Sequence, residues 1–443
     1  MRHQPLENNK RRCHSEERRI FKLREWALLK QQLNRFSETG KILHCVQNDK
    51  EIKRRNTVEK TINLKGITWN HSRGLLPMVA TAQRFSELYP NVNITWEKRS
   101  LQQFADFSIQ ELAERFDLLV IDHPWAGFAA KTKSIVPLDL YLSKDYLKDQ
   151  EENSVGQSYE SYFYNEHLWA LPIDAATPVA ASRPDLFVQK DLQLPKSFED
   201  LLALADKGLV AFAGIPIDVL MNFYTLCCSL GEDPCQGDEQ VVSKEIGVRA
   251  LQMYRELASK IDQANFNRNP IQVYEAMTLT DEIAYCPFAY GYSNYSRNGY
   301  ARKILHFHDM ISLDGKTNLR STLGGTGLAI SAKCEALEVA AKYVEFVGSP
   351  ACQSTLFFES GGQPGHLAAW KNEEVNRQSQ HYFLNTLPAL QSAFLRPRYH
   401  GSMYFQDHAG DVVRDYLMNG GDEIQVLSAM NKLYQQSKSL VLS

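Results

Sequence analysis

Leu118-Leu119-Val120-Ile121 is an unbroken apolar run, the pattern of a strand covered on both faces of a parallel sheet. What precedes it fixes the kind of sheet. Asn63–Trp69 alternates as a strand through Leu64, Ile67 and Trp69, and Asn70–Gly74 reads as a polar turn. The spacing of Val79, Ala82, Phe85 and Leu88 predicts a helix from about Leu76 to Tyr89, which Pro90 ends. Val92, Ile94 and Trp96 alternate as a second strand. Ser108-Ile109-Gln110-Glu111 is a capping box that opens another helix. The order β-α-β-α-β implies an α/β fold with a doubly wound open sheet.

At 443 residues the chain exceeds one ordinary core, so two lobes are expected. The pattern restarts after Leu171-Pro172-Ile173-Asp174. Ser197–Asp200 is a capping box that leads a helix, Leu209–Ala213 reads as a strand, and helices are expected near Val219–Leu230 and Lys244–Lys260. Ile283-Ala284-Tyr285 reads as a strand running into the tyrosine-rich loop Tyr290–Tyr300. In Ser321–Gln363 a glycine turn precedes a short apolar strand and a helix carried by Leu337, Ala340, Ala341, Val344 and Val347. Asp411–Met418 and Glu423–Gln435 are the last helical pieces.

Composition excludes several classes. Apolar content of 44% and charged content of 23% are those of an ordinary globular protein. The net charge of −3 hides an asymmetry: residues 1–60 carry 16 Lys or Arg against 8 Asp or Glu. The remainder is mildly acidic, which argues against nucleic acid as a partner. Eight cysteines are scattered without a Cys-x-x-Cys, so zinc-ribbon and thioredoxin-like readings fail and reduced thiols are expected, with a Cys227–Cys235 bridge left open. Gly324-Gly325-Thr326-Gly327 lacks the spacing and lysine of a phosphate loop. His306-x-His308-Asp309 has no second ligand group, and reads as strand alternation or a solvated loop. Neither a cofactor nor a metal is expected.

What remains is a set of polar and aromatic residues at the carboxyl ends of predicted strands, where open α/β sheets bind ligands. Asn70, His71 and Arg73 follow the first strand, Asp122, His123 and Trp125 the third, and Asp174 lies in the segment where the pattern restarts. Carboxylate and amide groups can pair with vicinal hydroxyls, guanidinium with carboxylate or phosphate, and aromatic rings with a sugar face.

These residues, with Tyr89-Pro90-Asn91-Val92, Leu168-Trp169-Ala170-Leu171-Pro172, Pro195–Leu202, Gly324–Ser331 and Gly361-Gly362-Gln363-Pro364, resemble the family 1 extracellular solute-binding proteins, the sugar-type receptors of ABC importers. The similarity spans about Asn63–Leu433. It implies the type II periplasmic-binding-protein fold, in which two α/β lobes joined by a hinge close on a ligand. Lobe one would hold 61–174 and 284–330, and lobe two 175–283 and 331–443. Crossovers are expected near Asp174, Pro287 and Ser331, with Gly324, Gly325 and Gly327 as hinge glycines. The resemblance adds Tyr290, Tyr292, Arg396 and Tyr404 across the cleft. It implies a monomer that takes a small polar ligand, a carbohydrate or in a variant an organic anion, for importer permease subunits. The alternative is a cytosolic enzyme or metabolite sensor, with His71 and His123 near Asp122 as acid–base groups.

The family works outside the cytoplasm, whereas the N-terminus shows no apolar run of secretory length. Residues 1–57 lack periodicity, and Cys13–Arg18 and Ile42–Asp49 resemble translated intergenic repeats. The reading frame is therefore expected to start downstream, with Val58 as a candidate; a basic tail or a solitary helix at Glu25–Phe36 is the competing reading. Peptide mapping of the native protein tests this: no peptide from residues 1–50 is expected, and finding one overturns the shortened start.

Overall fold

The computed structural model describes residues 61–100, 108–313 and 315–440; the basic extension and the helix expected within it lie outside these. The strands are β1 (Ile62–Trp69), β2 (Val92–Arg99), β3 (Leu118–Asp122), β4 (Leu171–Ala176), β5 (Pro178–Ser182), β6 (Tyr285–Tyr290), β7 (His306–His308) and β8 (Gly324–Ile330). Around them pack α1 (Ser72–Leu88), α2 (Pro216–Ser229), α3 (Lys244–Ser259), α4 (Leu337–Gly348), α5 (Ser402–Asn419) and α6 (Glu423–Lys438).

The first sheet has the order β2-β1-β3-β8-β4. β1 pairs in parallel with β2 and β3, as the β-α-β pattern requires, while β8 runs antiparallel between β3 and β4. The second sheet, β6-β5-β7, is short and antiparallel, and helices supply most of its surroundings. The segment read as a strand at Leu209–Ala213 makes one bridge, Val210 to Tyr285, and is otherwise irregular and mostly buried.

Helix α1 begins earlier than its apolar spacing predicts. The turn read at Asn70–Gly74 is helical from Ser72, because the His71 side chain accepts the Arg73 backbone N–H and caps the first turn. Pro77 sits inside this helix and removes the bond that would reach the Arg73 carbonyl. Met78, Ala82 and Phe85 are buried under the sheet, and Thr81 Oγ1 meets Tyr343 Oη of α4 at 2.9 Å.

Buried apolar residues form two cores. The first holds Leu64, Phe85, Leu119, Ile330 and Val344; the second holds Phe212, Tyr254, Phe288, Trp370 and Val413. The chain passes between them at Ile173/Ala175, between Leu323 and Leu328, and at Phe357/Phe358. Two expected assignments therefore change. Helix α4 belongs with the first core, since Tyr343 and Phe346 pack on Phe85 with ring centroids 5.3 and 5.7 Å away. Strand β6, with the crossover placed at Pro287, belongs with the second core, since its hydrogen bonds go to β5. Cys227 and Cys235 are free thiols.

The glycines expected in a flexible turn lie in β8, a strand paired on both edges. Close approach is their reason: a Cβ on Gly324 would stand 2.4 Å from the Tyr290 ring, and one on Gly327 2.7 Å from Tyr162. Gly325 adds a φ of +105°, and its Cβ would lie 2.3 Å from the Asp174 carbonyl oxygen. Gly208 also has a positive φ, +71°, but nothing within 4 Å. Gly325→Ala should thus lower the thermal midpoint clearly more than Gly208→Ala, whose conformational cost is about 1–2 kcal/mol. Equal losses would show that the crossing yields freely.

Candidate functional site

β1, β3 and β4 end at the same edge of the first sheet, because β8 runs antiparallel between β3 and β4. The register places Thr326 opposite both Asp122 and Asp174, so two carboxylates flank one threonine on that edge. Each is neutralised by an arginine.

Arg73, in the first turn of α1, is buried and forks onto Asp174: Nε donates to Oδ2 at 2.8 Å and Nη2 to Oδ1 at 2.5 Å. Its Nη1 donates to the Gly291 carbonyl at 2.9 Å, and the Tyr292 ring lies 4.7 Å from its Cζ. Burial pushes the Asp174 carboxyl up and Arg73 draws it back. The guanidinium is held charged, since Asp174 outweighs the burial that opposes it.

Arg396 does the same for Asp122. Its Nη2 donates to both carboxylate oxygens at 2.7 and 2.9 Å, Nε to the Leu323 carbonyl at 3.0 Å, and Nη1 to Gln406 Oε1 at 3.0 Å. Burial raises Asp122, but Arg396 and the His123 backbone and ring hold it well below the usual carboxylate range. His123 is itself fully buried, and burial followed by the Arg396 charge pushes its imidazole down to about 4.

His71 faces the second core. Its Nδ1 accepts from the Arg73 N–H, so in the neutral ring Nε2 carries the proton and donates to Tyr300 Oη at 3.1 Å. Tyr300 Oη also meets Ser72 Oγ at 2.8 Å, and the imidazole and the Tyr292 ring pack edge to face with centroids 4.8 Å apart. Burial, then Arg73, lowers His71 to about 4. Together with Arg73 to Gly291 and Arg396 to Asp122, these contacts bridge the two cores.

The residues anticipated from sequence thus divide. His71 meets Tyr292 between the two cores, while Tyr290 Oη lies 3.2 Å from Thr322 Oγ1. Arg73, Asp122, Asp174 and Arg396 come together there as two closed ion pairs, with their charges spent on each other. Trp125 is buried at 7% exposure and packs on Phe128, so it offers no open ring face. Tyr404 stacks on His408 with centroids 4.1 Å apart, and Asn70 is exposed without a partner among the described side chains. Tyr300 was missed; its sole signal was membership of the tyrosine-rich loop. A groove of about 730 Å³ opens beside Arg396, and Lys131, Tyr164, Arg320 and Arg398 are among the residues that line it. Arg320 there is tied to Asp233, and Arg398 to the Glu160 and Phe163 carbonyls.

A sequence profile of the bacterial extracellular solute-binding proteins matches residues 69–353. Among solved structures, maltose-bound MalE3 of T. maritima superposes with a TM-score of 0.72 at 17% identity, covering 85% of this chain and 99% of that one. A solute-binding protein of Agrobacterium radiobacter K84 in complex with ribitol gives 0.72 at 17%, with the same coverage. One from Agrobacterium vitis S4 with bound D-mannitol gives 0.67 at 18%, covering 85% and 98%. These likenesses establish the two-lobe type II fold.

Removing Asp174 leaves Arg73 charged and buried, so Asp174→Ala should cost about 3–5 kcal/mol in denaturant unfolding. Lys148→Ala, from an exposed helix pair, is the control and should leave stability unchanged. A loss below 1 kcal/mol at Asp174 would mean that the pair is solvated. A second outcome concerns pH. His71 and His123 take up protons near 6.5 when unfolded but only near 4 when folded. The unfolded chain therefore binds more protons between those values, and stability falls as pH drops from 6.5 to 4. His123→Gln should flatten that slope; an unchanged slope would clear His123 of the effect.

Proposed function

The chain belongs to the bacterial extracellular solute-binding protein family, and we propose that its cleft captures one small neutral polyhydroxylated ligand, a carbohydrate or polyol, for an ABC-type importer. One observation carries the ligand class. The four charged side chains at the strand ends are consumed in Arg73–Asp174 and Arg396–Asp122, and His71 and His123 are uncharged at neutral pH. What is left to face a ligand is then hydroxyl, neutral imidazole and phenol ring, from Ser72, His71, Tyr290 and Tyr300. Such groups donate and accept without a net charge, and ring faces pack against C–H surfaces. An organic anion would meet no free cation among them.

The hinge, in this reading, lies where the chain passes between cores, at β4 into β5, ahead of β8, and at Phe357/Phe358. The protein acts as a monomer that binds and releases, without covalent chemistry, and hands its ligand to permease subunits.

Titration followed by thermal unfolding tests the class. Maltose, ribitol or D-mannitol should raise stability by RT ln(1 + [L]/Kd), about 2.7 kcal/mol at a hundredfold excess over Kd. Citrate and succinate should not. Tyr300→Ala should weaken the effective sugar at least tenfold. Stabilisation by the anions and by no sugar overturns the neutral-ligand reading.

A further inference from the structure

Residues 396–403 start from the second core and reach across to the first. Phe394, Tyr399 and Phe405 pack with the second core, whereas Met403, between the last two, is buried in the first. The contacts run the length of the segment. Arg396 Nη2 donates to both oxygens of Asp122, and Arg398 Nη1 to the Glu160 and Phe163 carbonyls at 2.5 and 2.8 Å. The His400 ring stacks on Phe128 with centroids 5.4 Å apart and planes at 18°, and Ser402 Oγ donates to the Pro124 carbonyl at 3.4 Å. All these partners lie between Asp122 and Phe163, in the half built on the first core.

The first half is shaped to receive the segment. A Cβ on Gly127 would stand 1.8 Å from the Arg398 carbonyl oxygen and 2.9 Å from its carbon. Gly127 lies inside the helix Ala126–Thr132, where glycine weakens a helix, and no positive φ asks for one. Close approach of the two backbones is the reason for it. The segment is also none of the three places where the chain passes from one core to the other. Its contacts therefore come from side chains and packing, not from connectivity.

We propose that residues 396–403 form a strap that holds the two lobes at their closed separation without help from a ligand, with Gly127 and Arg398 as its positioning pair. In a hinged protein that rests open, part of the ligand's binding energy goes into closing, and affinity falls with the fraction of molecules already closed. Here the strap's own bonds supply closure, so the ligand meets lobes already at their final distance. The proposal concerns the lobes and stands apart from the ligand class; only the titration below rests on the carbohydrate reading.

The test measures small-angle scattering of the full-length protein, Gly127→Val and Arg398→Gln, alone and with maltose or D-mannitol, beside calorimetric titration. Arg320→Gln is the control: Arg320 lines the same groove, but it is tied to Asp233 and the Ser392 carbonyl within the second half. The radius of gyration of the parent should not change on saturation. Gly127→Val, which pushes the strap off, should be larger without ligand, contract to the parent's value on saturation, and bind at least tenfold more weakly. Arg398→Gln should move the same way, and it decides alone if Gly127→Val does not fold. Arg320→Gln should match the parent. A parent that contracts on binding overturns the strap, as do variants that lose thermal stability while keeping the parent's ligand-free radius. Binding of neither compound by the parent overturns the carbohydrate reading, while the ligand-free comparison still decides the strap.

Discussion

Two carboxylates, Asp122 and Asp174, flank Thr326 on one edge of a sheet, and the architecture at the cleft follows from how their charge is removed. With one strand between them, Asp174 buried and Asp122 partly so, they would repel each other and lose hydration. Arg73 arrives from the start of α1 and Arg396 from the segment beside the second core, and each closes on one carboxylate. Each arginine also donates to a backbone carbonyl that belongs with the second core, Arg73 to Gly291 and Arg396 to Leu323. The pairs therefore do two things at once: they make the edge electrically neutral, and they tie the two halves together where the chain passes between them.

That neutrality decides what the cleft can recognise. An arginine at a strand end is ordinarily a reason to expect an anion, because its planar fork matches carboxylate and phosphate. Here the fork is already occupied by a carboxylate of the same chain. The selectivity left to the cleft comes from groups of low charge and fixed direction, such as His71, whose tautomer is dictated by its role as a helix cap.

The first sheet was legible because its information is local. Alternation in Asn63–Trp69 and the apolar run at Leu118–Ile121 each describe one strand's own faces, and the capping box at Ser197–Asp200 forms as written. Partners distant in sequence were not legible. Nothing around Arg73 announces Asp174, so both appeared as separate ligand contacts although each cancels the other. The amphipathic stripe of α4 was visible, yet a stripe does not say which core it covers; the rings of Phe85 and Tyr343 settle that in space.

The position of β8 has a consequence for how such a chain reaches this form. It fills the gap between β3 and β4, yet it is made only after the strands β5, β6 and β7 of the other sheet. Until it arrives, β3 and β4 each present an open edge, and the first core lacks Leu328, Ala329 and Ile330. Closing that gap means bringing together segments separated by most of a second folding unit, an entropic demand that slows folding. Assembly is therefore non-sequential: the half begun first is completed after the chain of the other half has been laid down, and a piece truncated ahead of Gly324 has no means of finishing it.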